Sequence, residues 1–331
     1  LTHRVIRRVE GRMGWQPNPE GTRAFLQELE RPTFRQAAPD VVAAARGRDA
    51  YLYRYADRAH RERYGTAYGP WNQGDHGSCV SFGWAMGSYV GQCVDWSLGN
   101  LAEPPLEVAT EPIYGGSRTE GRLPPVAFAG YSDGSYGGAA ARWVAGLSSG
   151  HGGILYRKKY GDVDLTAYSI PRSKDWGARG VPSPLATAAN EHPAKAVALC
   201  ETWQGLCAAL ENGLCVPVCS NIGFKGQDRD EDGFLHRNGS WAHCMVAISV
   251  KYAANNGPRS AEPMKHPRDG VLIMNSWGPT WVRGGKHPAD QPDGSFWIGR
   301  ADAEAILSQG DSFVVGSVEG FKPRKLRNYD W

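Results

Sequence analysis

Helical and strand-like apolar patterns are segregated along this 331-residue chain, and that segregation limits the folds open to it. After a Gly-containing turn from Trp71 to Gly77, the apolar residues Phe82, Met86, Tyr89 and Cys93 recur at helical spacing, which predicts a helix that begins at Cys79. Past residue 214 the period changes. Cys215 to Cys219, Met245 to Val250, Val271 to Met274 and Ser295 to Ile298 are short apolar, β-branched or aromatic runs between turn residues, as in an antiparallel sheet or barrel. Helix first and sheet second is an α+β pattern. Shorter helices are expected over Ala139 to Leu147 and over Thr202 to Leu210, the second ended by Asn212-Gly213. The rest of residues 99–190, rich in Gly, Pro and Ser, reads as long connecting loops.

Hydrophobic residues make up 41% of the chain and charged residues 21%, which implies neither a disordered chain nor a membrane protein. No apolar run approaches the ~18 residues of a membrane span. The opening Leu1-Thr2-His3-Arg4 lacks the apolar stretch of a secretory signal, although a signal already removed would leave the same start. A soluble protein is expected, virion-associated or secreted after processing being two of the settings open to it. The net charge of +3 is small, and basic residues cluster only at Arg4, Arg7, Arg8 and at Lys322, Arg324, Lys325, Arg327, so no nucleic-acid partner is implied. Seven cysteines is an odd number, leaving at least one thiol free or paired with another chain.

A cysteine at a helix N-terminus gains stabilisation of its thiolate from the helix dipole and the unpaired backbone N–H groups, so Cys79 is a candidate nucleophile. Three further stretches bear on it. Asn72-Gln73-Gly74-Asp75-His76-Gly77-Ser78-Cys79-Val80-Ser81-Phe82 places a Gln six residues before the Cys; Ser240-Trp241-Ala242-His243-Cys244-Met245-Val246 opens an apolar strand on a histidine; Val271-Leu272-Ile273-Met274-Asn275-Ser276-Trp277-Gly278, followed by Trp281, ends another strand on Asn-Ser-Trp-Gly.

In this order these stretches resemble the active-site segments of the papain-like cysteine peptidases, from about Tyr55 to Ile306, in a divergent member of bacterial or bacteriophage type. The resemblance implies a two-lobe α+β fold, with a helical lobe carrying Cys79, a β-barrel-like lobe carrying His243 and Asn275, and the cleft between them. It implies Cys79 as nucleophile, His243 as base, Asn275 as orienter of that base, and Gln73 with the Cys79 N–H as oxyanion donors. Peptide or protein would be the substrate, with no cofactor and no metal. Trp277 would shield the His–Asn bond and Trp281 would line the leaving-group side. Asp133-Gly134-Ser135-Tyr136-Gly137-Gly138 looks like the family's Gly-Gly segment, so Gly137 and Gly138 are the candidate substrate-pairing residues.

Two departures stand out: His76 replaces a cysteine that forms a disulfide in secreted members, and Val80 replaces a Trp. Residues 1–50 read as an N-terminal extension with short apolar faces (Ala24, Phe25, Leu26, Leu29; Val41 to Ala45) between prolines, residues 51–315 as the peptidase domain, and residues 316–331 as a basic tail. The extension is either an anchor to a protein partner, which the lack of a pro-segment signature favours, or an inhibitory pro-segment along the cleft. Cys200, Cys207, Cys215 and Cys219 lack the Cys-x-x-Cys spacing of a zinc site and are expected in the core, with Cys93 and Cys244. Asp228, Asp230, Asp232 and Gly233 open like a calcium loop, but Gly239 stands where its bidentate Glu belongs. His151 is expected in a loop. Two other functions fit the same residues: a papain-fold structural or binding component, for example of a phage particle, and a cell-wall peptide hydrolase.

Overall fold

The computed structural model describes residues 13–119, 132–148, 151–194, 196–224, 226, 228–316 and 321–326. Its helices are α1 (Pro19–Glu28), α2 (Phe34–Ala37), α3 (Pro39–Ala44), α4 (Leu52–Tyr64), α5 (Cys79–Ser97), α6 (Thr110–Arg118), α7 (Gly137–Val144), α8 (Ile170–Arg179), α9 (Ser183–Ala189), α10 (Trp203–Glu211) and α11 (Arg300–Leu307). The strands are β1 (Ala50–Tyr51), β2 (Lys159–Tyr160), β3 (Val163–Asp164), β4 (Val197–Leu199), β5 (Val216–Ile222), β6 (Ser240–Lys251), β7 (Gly270–Met274), β8 (Ser295–Gly299) and β9 (Phe313–Val315).

The helix expected from Cys79 is α5, and its apolar residues cover almost its whole circumference, so it is buried on nearly all sides. It lies against β6. Gly83 permits the approach: a Cβ there would stand 2.8 Å from the Met245 carbonyl oxygen. β6 is the spine of a five-stranded antiparallel sheet in which β5, β7 and β1 pair with β6 and β8 pairs with β7. The four strand-like runs of the sequence are β5 to β8. Helices α5 to α9 form one lobe and the sheet with α10 and α11 the other, the two-lobe α+β fold that the resemblance implies.

Three helices, α6, α8 and α9, lie where loops were expected. The prolines that read as breakers, Pro112, Pro171 and Pro184, sit in their first turns, where a missing N–H costs nothing. Residues 13–50, the described part of the N-terminal extension, pack onto the body. Phe25, Phe34 and Val41 are buried in the common core, with Phe25 packed 6.0 Å from Phe313 and Phe34 edge-on to Phe321 at 5.2 Å. Short helices bounded by prolines each present one apolar side chain to the body. Part of the basic tail packs as well: Arg324 pairs with buried Asp95 at 3.1 Å. Arg4, Arg7, Arg8 and Arg327 lie outside the described residues.

Candidate active site

Cys79 is the first residue of α5 and is fully buried. The turn before it is tied to the end of β7: Gln73 N–H donates to the Ser276 carbonyl (2.9 Å) and Gly278 N–H to that of Trp71 (3.1 Å). The Sγ atom accepts N–H groups from Cys244 (3.4 Å), from Val80 in the first helical turn, and from Gly14 of the N-terminal segment. Burial pushes the Cys79 thiol up to about 12, with neighbouring Cys244 adding to it, and these N–H groups offset only part of the rise. Closed in this way, the thiol stays protonated.

His243 lies on β6, paired with Ser220 of β5, and is fully buried. Its Nε2 is 2.8 Å from Asn275 Oδ1, which also accepts the Ser276 backbone N–H at 2.7 Å. A backbone N–H can only donate, so its partner on Asn275 is the oxygen, and the imidazole must present a hydrogen from Nε2. The lone pair of the neutral ring is therefore on Nδ1, which has no hydrogen-bond partner among the described residues. Burial lowers the His243 pKa to about 4, the bond to Asn275 recovering part of the loss. The Trp277 ring stacks 4.6 Å from the imidazole, Trp241 lies 5.4 Å away, and half-buried Trp281 packs on Trp277 at 5.4 Å. Imidazole and carboxamide thus touch under a wall of indoles.

Gln73 is buried, its Oε1 accepting from Ser276 Oγ (2.6 Å) and its Nε2 donating to the His76 carbonyl (2.7 Å), which fixes the amide face beside the Cys79 turn. At the position where the resemblance implies a disulfide cysteine, His76 makes a polar tie: Nδ1 is 2.8 Å from Asp133 Oδ1 and Nε2 is 3.1 Å from Ser173 Oγ. Asp133 also accepts the Gly77 N–H at 2.9 Å. Although burial raises it, hydrogen bonds from His76 and Gly77 hold Asp133 below the usual carboxylate range. Tyr168, from the stretch read as loop, braces the same turn through Ser78 Oγ (3.2 Å) and the Gln73 carbonyl (3.3 Å). Asp133 opens the Gly-Gly segment of the sequence without a role having been given to it, and no motif marked Tyr168.

Residues 13–16 run across this site. Ser135 N–H donates to the Gly14 carbonyl (2.8 Å), Gln16 N–H to the Ser135 carbonyl (2.8 Å) and Trp15 N–H to the Ala242 carbonyl (3.1 Å). The approach is so close that a Cβ on Gly14 would stand 1.9 Å from the Gly77 carbonyl oxygen. The backbone that pairs with this segment is Ser135, not Gly137 or Gly138. Those two glycines open α7 and donate to the Asp311 carboxylate at 2.6 and 2.8 Å, and a Cβ on Gly137 would meet the Asp311 backbone oxygen at 2.4 Å. A Cβ on Gly138 would stand 2.9 Å from Thr22 Oγ1, so the two glycines leave room for Asp311 and for Thr22 of α1.

The residues weighed for metals have other partners. Asp230 accepts the Asp232 and Phe234 N–H groups and pairs with Arg268; Asp232 accepts the Lys265 and His266 N–H groups. Cys93, Cys200, Cys207, Cys215, Cys219 and Cys244 are buried thiols in the core.

No family model matches the chain, and no curated protein sequence does. Among solved structures the chain is similar to xylellain, a cysteine protease from Xylella fastidiosa, with 16% identity and a TM-score of 0.55 over 94% of this chain and 98% of that one. It is also similar to procathepsin B S9 from Trypanosoma congolense, with 12% identity and a TM-score of 0.52 over 95% of this chain and 96% of that one. Both likenesses span nearly the full length, and the fold is papain-like.

Proposed function

We propose that the chain is a cysteine peptidase that hydrolyses peptide bonds through Cys79, His243 and Asn275, and that residues 13–16 hold it latent. The observation that carries the first part is the His243–Asn275 pair. It directs the only lone pair of the imidazole to Nδ1, on the strand whose next residue, Cys244, bonds the Cys79 sulfur. Once the cleft opens, the Cys79 proton passes to Nδ1 and the thiolate attacks the substrate carbonyl carbon. Gln73 Nε2–H and the Cys79 N–H hold the oxyanion. The imidazolium then gives its proton to the leaving amine, and water releases the acyl group from sulfur. Asn275 positions the ring and transfers no proton; Trp277 keeps water from their bond, and Trp281 lines the leaving-group side.

Latency is supported by what the segment offers the sulfur. Gly14 presents an amide N–H to Sγ, a group that no thiolate attacks, where a substrate presents a carbonyl carbon. This favours the pro-segment reading of the extension over the anchor. It also moves the substrate-pairing role from Gly137 and Gly138 to Ser135. The test is digestion of casein by the full chain carrying Gly14→Leu, with Cys79→Ala in the same background as blank. Cys79-dependent cleavage is expected. Digestion of peptidoglycan peptides but not casein would replace this reading by the cell-wall hydrolase, and no Cys79-dependent cleavage of either would leave the binding component.

A further inference from the structure

Three of the buried thiols form a row that starts at the proposed nucleophile. Cys244 N–H donates to Cys79 Sγ at 3.4 Å, and Cys219 N–H donates to Ser312 Oγ at 3.4 Å. Cys219 and Cys244 are register partners on β5 and β6, and both amides point away from the seam between them. They are therefore a non-hydrogen-bonded pair, the kind whose side chains come closest, with Cα atoms about 4.5 Å apart. The two thiols touch, with a hydrogen bond between them. On its other side Cys244 faces α5, where Gly83 makes room for it: a Cβ there would stand 3.0 Å from Cys244 Sγ. Gly83 lies four residues after Cys79, so the two positions share one face of the helix a turn apart. Cys244 Sγ is thus lodged at the first turn of α5, between Cys219 and Cys79.

We propose that Cys244 is a resolving thiol for Cys79, so that hydrogen peroxide turns the nucleophile into a reversible Cys79–Cys244 disulfide instead of an irreversible sulfinic acid. The Cys79 thiolate attacks one peroxide oxygen and keeps it as a sulfenic acid, while the other oxygen leaves as hydroxide and takes up a proton to become water. The Cys244 sulfur then attacks the Cys79 sulfur. The S–O bond breaks, and its hydroxide leaves with the Cys244 proton as a second water. One peroxide is reduced to water, and the two thiols together give up the electron pair. The movement needed is rotation of the Cys79 side chain from the amide of Cys244 to its sulfur, closing to an S–S bond of about 2.05 Å. Cys219 does not react first: burial, and then its contact with Cys244, push its thiol well above the ordinary range, so it stays protonated. In the latent chain Gly14 N–H still bonds the Cys79 sulfur, so the reaction belongs to the opened form. The inference rests on the peptidase reading in one respect, a Cys79 thiolate in the opened cleft.

The test treats the full Gly14→Leu chain, with and without Cys244→Ala, with hydrogen peroxide. Peptide turnover is measured before treatment, after it, and again after dithiothreitol, and non-reducing peptide maps by mass spectrometry locate the oxidised sulfurs. With Cys244 present, turnover should fall at least about tenfold, return to within about twofold on reduction, and the map should show Cys79 joined to Cys244. With Cys244→Ala, turnover should stay lost after reduction, with Cys79 found as sulfinic acid. Should that variant misfold by circular dichroism, the map of the Cys244 chain decides alone. Sulfinic acid at Cys79 in the Cys244 chain, an unoxidised Cys79, or a Cys219–Cys244 disulfide beside a free Cys79 overturns the inference, and turnover before treatment then reports separately on the peptidase. The Cys79–Cys244 bond in a chain that never turns over peptide keeps the resolving pair and overturns the peptidase reading.

Discussion

Strand β6 carries a buried ionisable side chain near each end, and the two are housed in opposite ways. At its far end Lys251 is fully buried, yet every donor has somewhere to go: the Asp232 carbonyl (3.0 Å), His287 Nδ1 (3.1 Å) and the His287 carbonyl (3.3 Å), with the rings of Trp297 and Phe234 4.3 and 4.7 Å away. At the near end His243 has one partner, Asn275. Its Nδ1, Asn275 Nδ2 and the indole N–H groups of Trp241 and Trp277 have no hydrogen-bond partner among the described residues. Burial lowers both pKa values, to about 7 for Lys251 and about 4 for His243. The same strand thus satisfies a charge where it only has to hold loops and leaves polar atoms unspent where chemistry is proposed. Such gaps cost stability, and they persist where a substrate or a moving segment completes them.

The largest effect that could break this contrast is loss of the nucleophile. Cys79→Ala in the Gly14→Leu chain is expected to lower peptide turnover by at least ~10⁴-fold with only a small loss of Tm, because a methyl replaces a thiol that accepts the Cys244 and Val80 N–H groups. Turnover that survives would remove the near end of β6 from the chemistry. Next is Asn275→Ala, which frees the imidazole to rotate and to change tautomer; a drop of about 100-fold in kcat with KM nearly constant is expected from steady-state kinetics.

Gly14→Leu sharpens the comparison from the other side. A side chain there has no room against Gly77, so the blocking segment must lift, and the rate on a small peptide amide should rise about tenfold or more over the wild-type chain. An unchanged rate would mean that residues 13–16 do not guard the cleft. The smallest effect on activity is expected from Lys251→Met, at most about twofold. Its signature is in stability. A lysine whose folded pKa lies below its unfolded value binds fewer protons folded than unfolded between pH 7 and 10.5, so Lys251 on its own adds stability as pH rises through that window, while the buried thiols, whose folded pKa values are raised, subtract it above about pH 9 in both chains. Urea melts at pH 7 and pH 10 should therefore show the stability of the wild-type chain relative to the variant rising by roughly 3 kcal/mol.

What was legible in the sequence follows from how locally each feature is encoded. Gln73, Cys79, His243 and Asn275 each sit in a short run where turn, helix start or strand end is written in consecutive residues, and the structure brings imidazole to carboxamide as expected. Asp311 is a different case: nothing in Gly310-Asp311-Ser312 signals that its carboxylate will meet Gly137 of α7, 174 residues away, and Trp15, 296 residues away. The two glycines 137 and 138 were visible, but a glycine needed for packing, as Gly137 is against Asp311 and Gly138 against Thr22, and one needed for an approaching peptide look alike in sequence. The path of residues 13–50 was hidden for a related reason. Phe25, Phe34 and Val41 are spaced by proline-bounded turns with no single period, and only the packed core shows that they share one surface.

All seven cysteines are buried, unbonded thiols, so a thiol-directed reagent has no reason to choose among them except the chemistry proposed for one. The most direct measurement is therefore to treat the Gly14→Leu chain with a peptidyl epoxide at pH 6 to 7 and to locate the adduct by peptide mass spectrometry. A single adduct on Cys79, lost in His243→Ala, is the predicted result. An unmodified Cys79, or labelling spread over the other thiols and indifferent to His243, would contradict it.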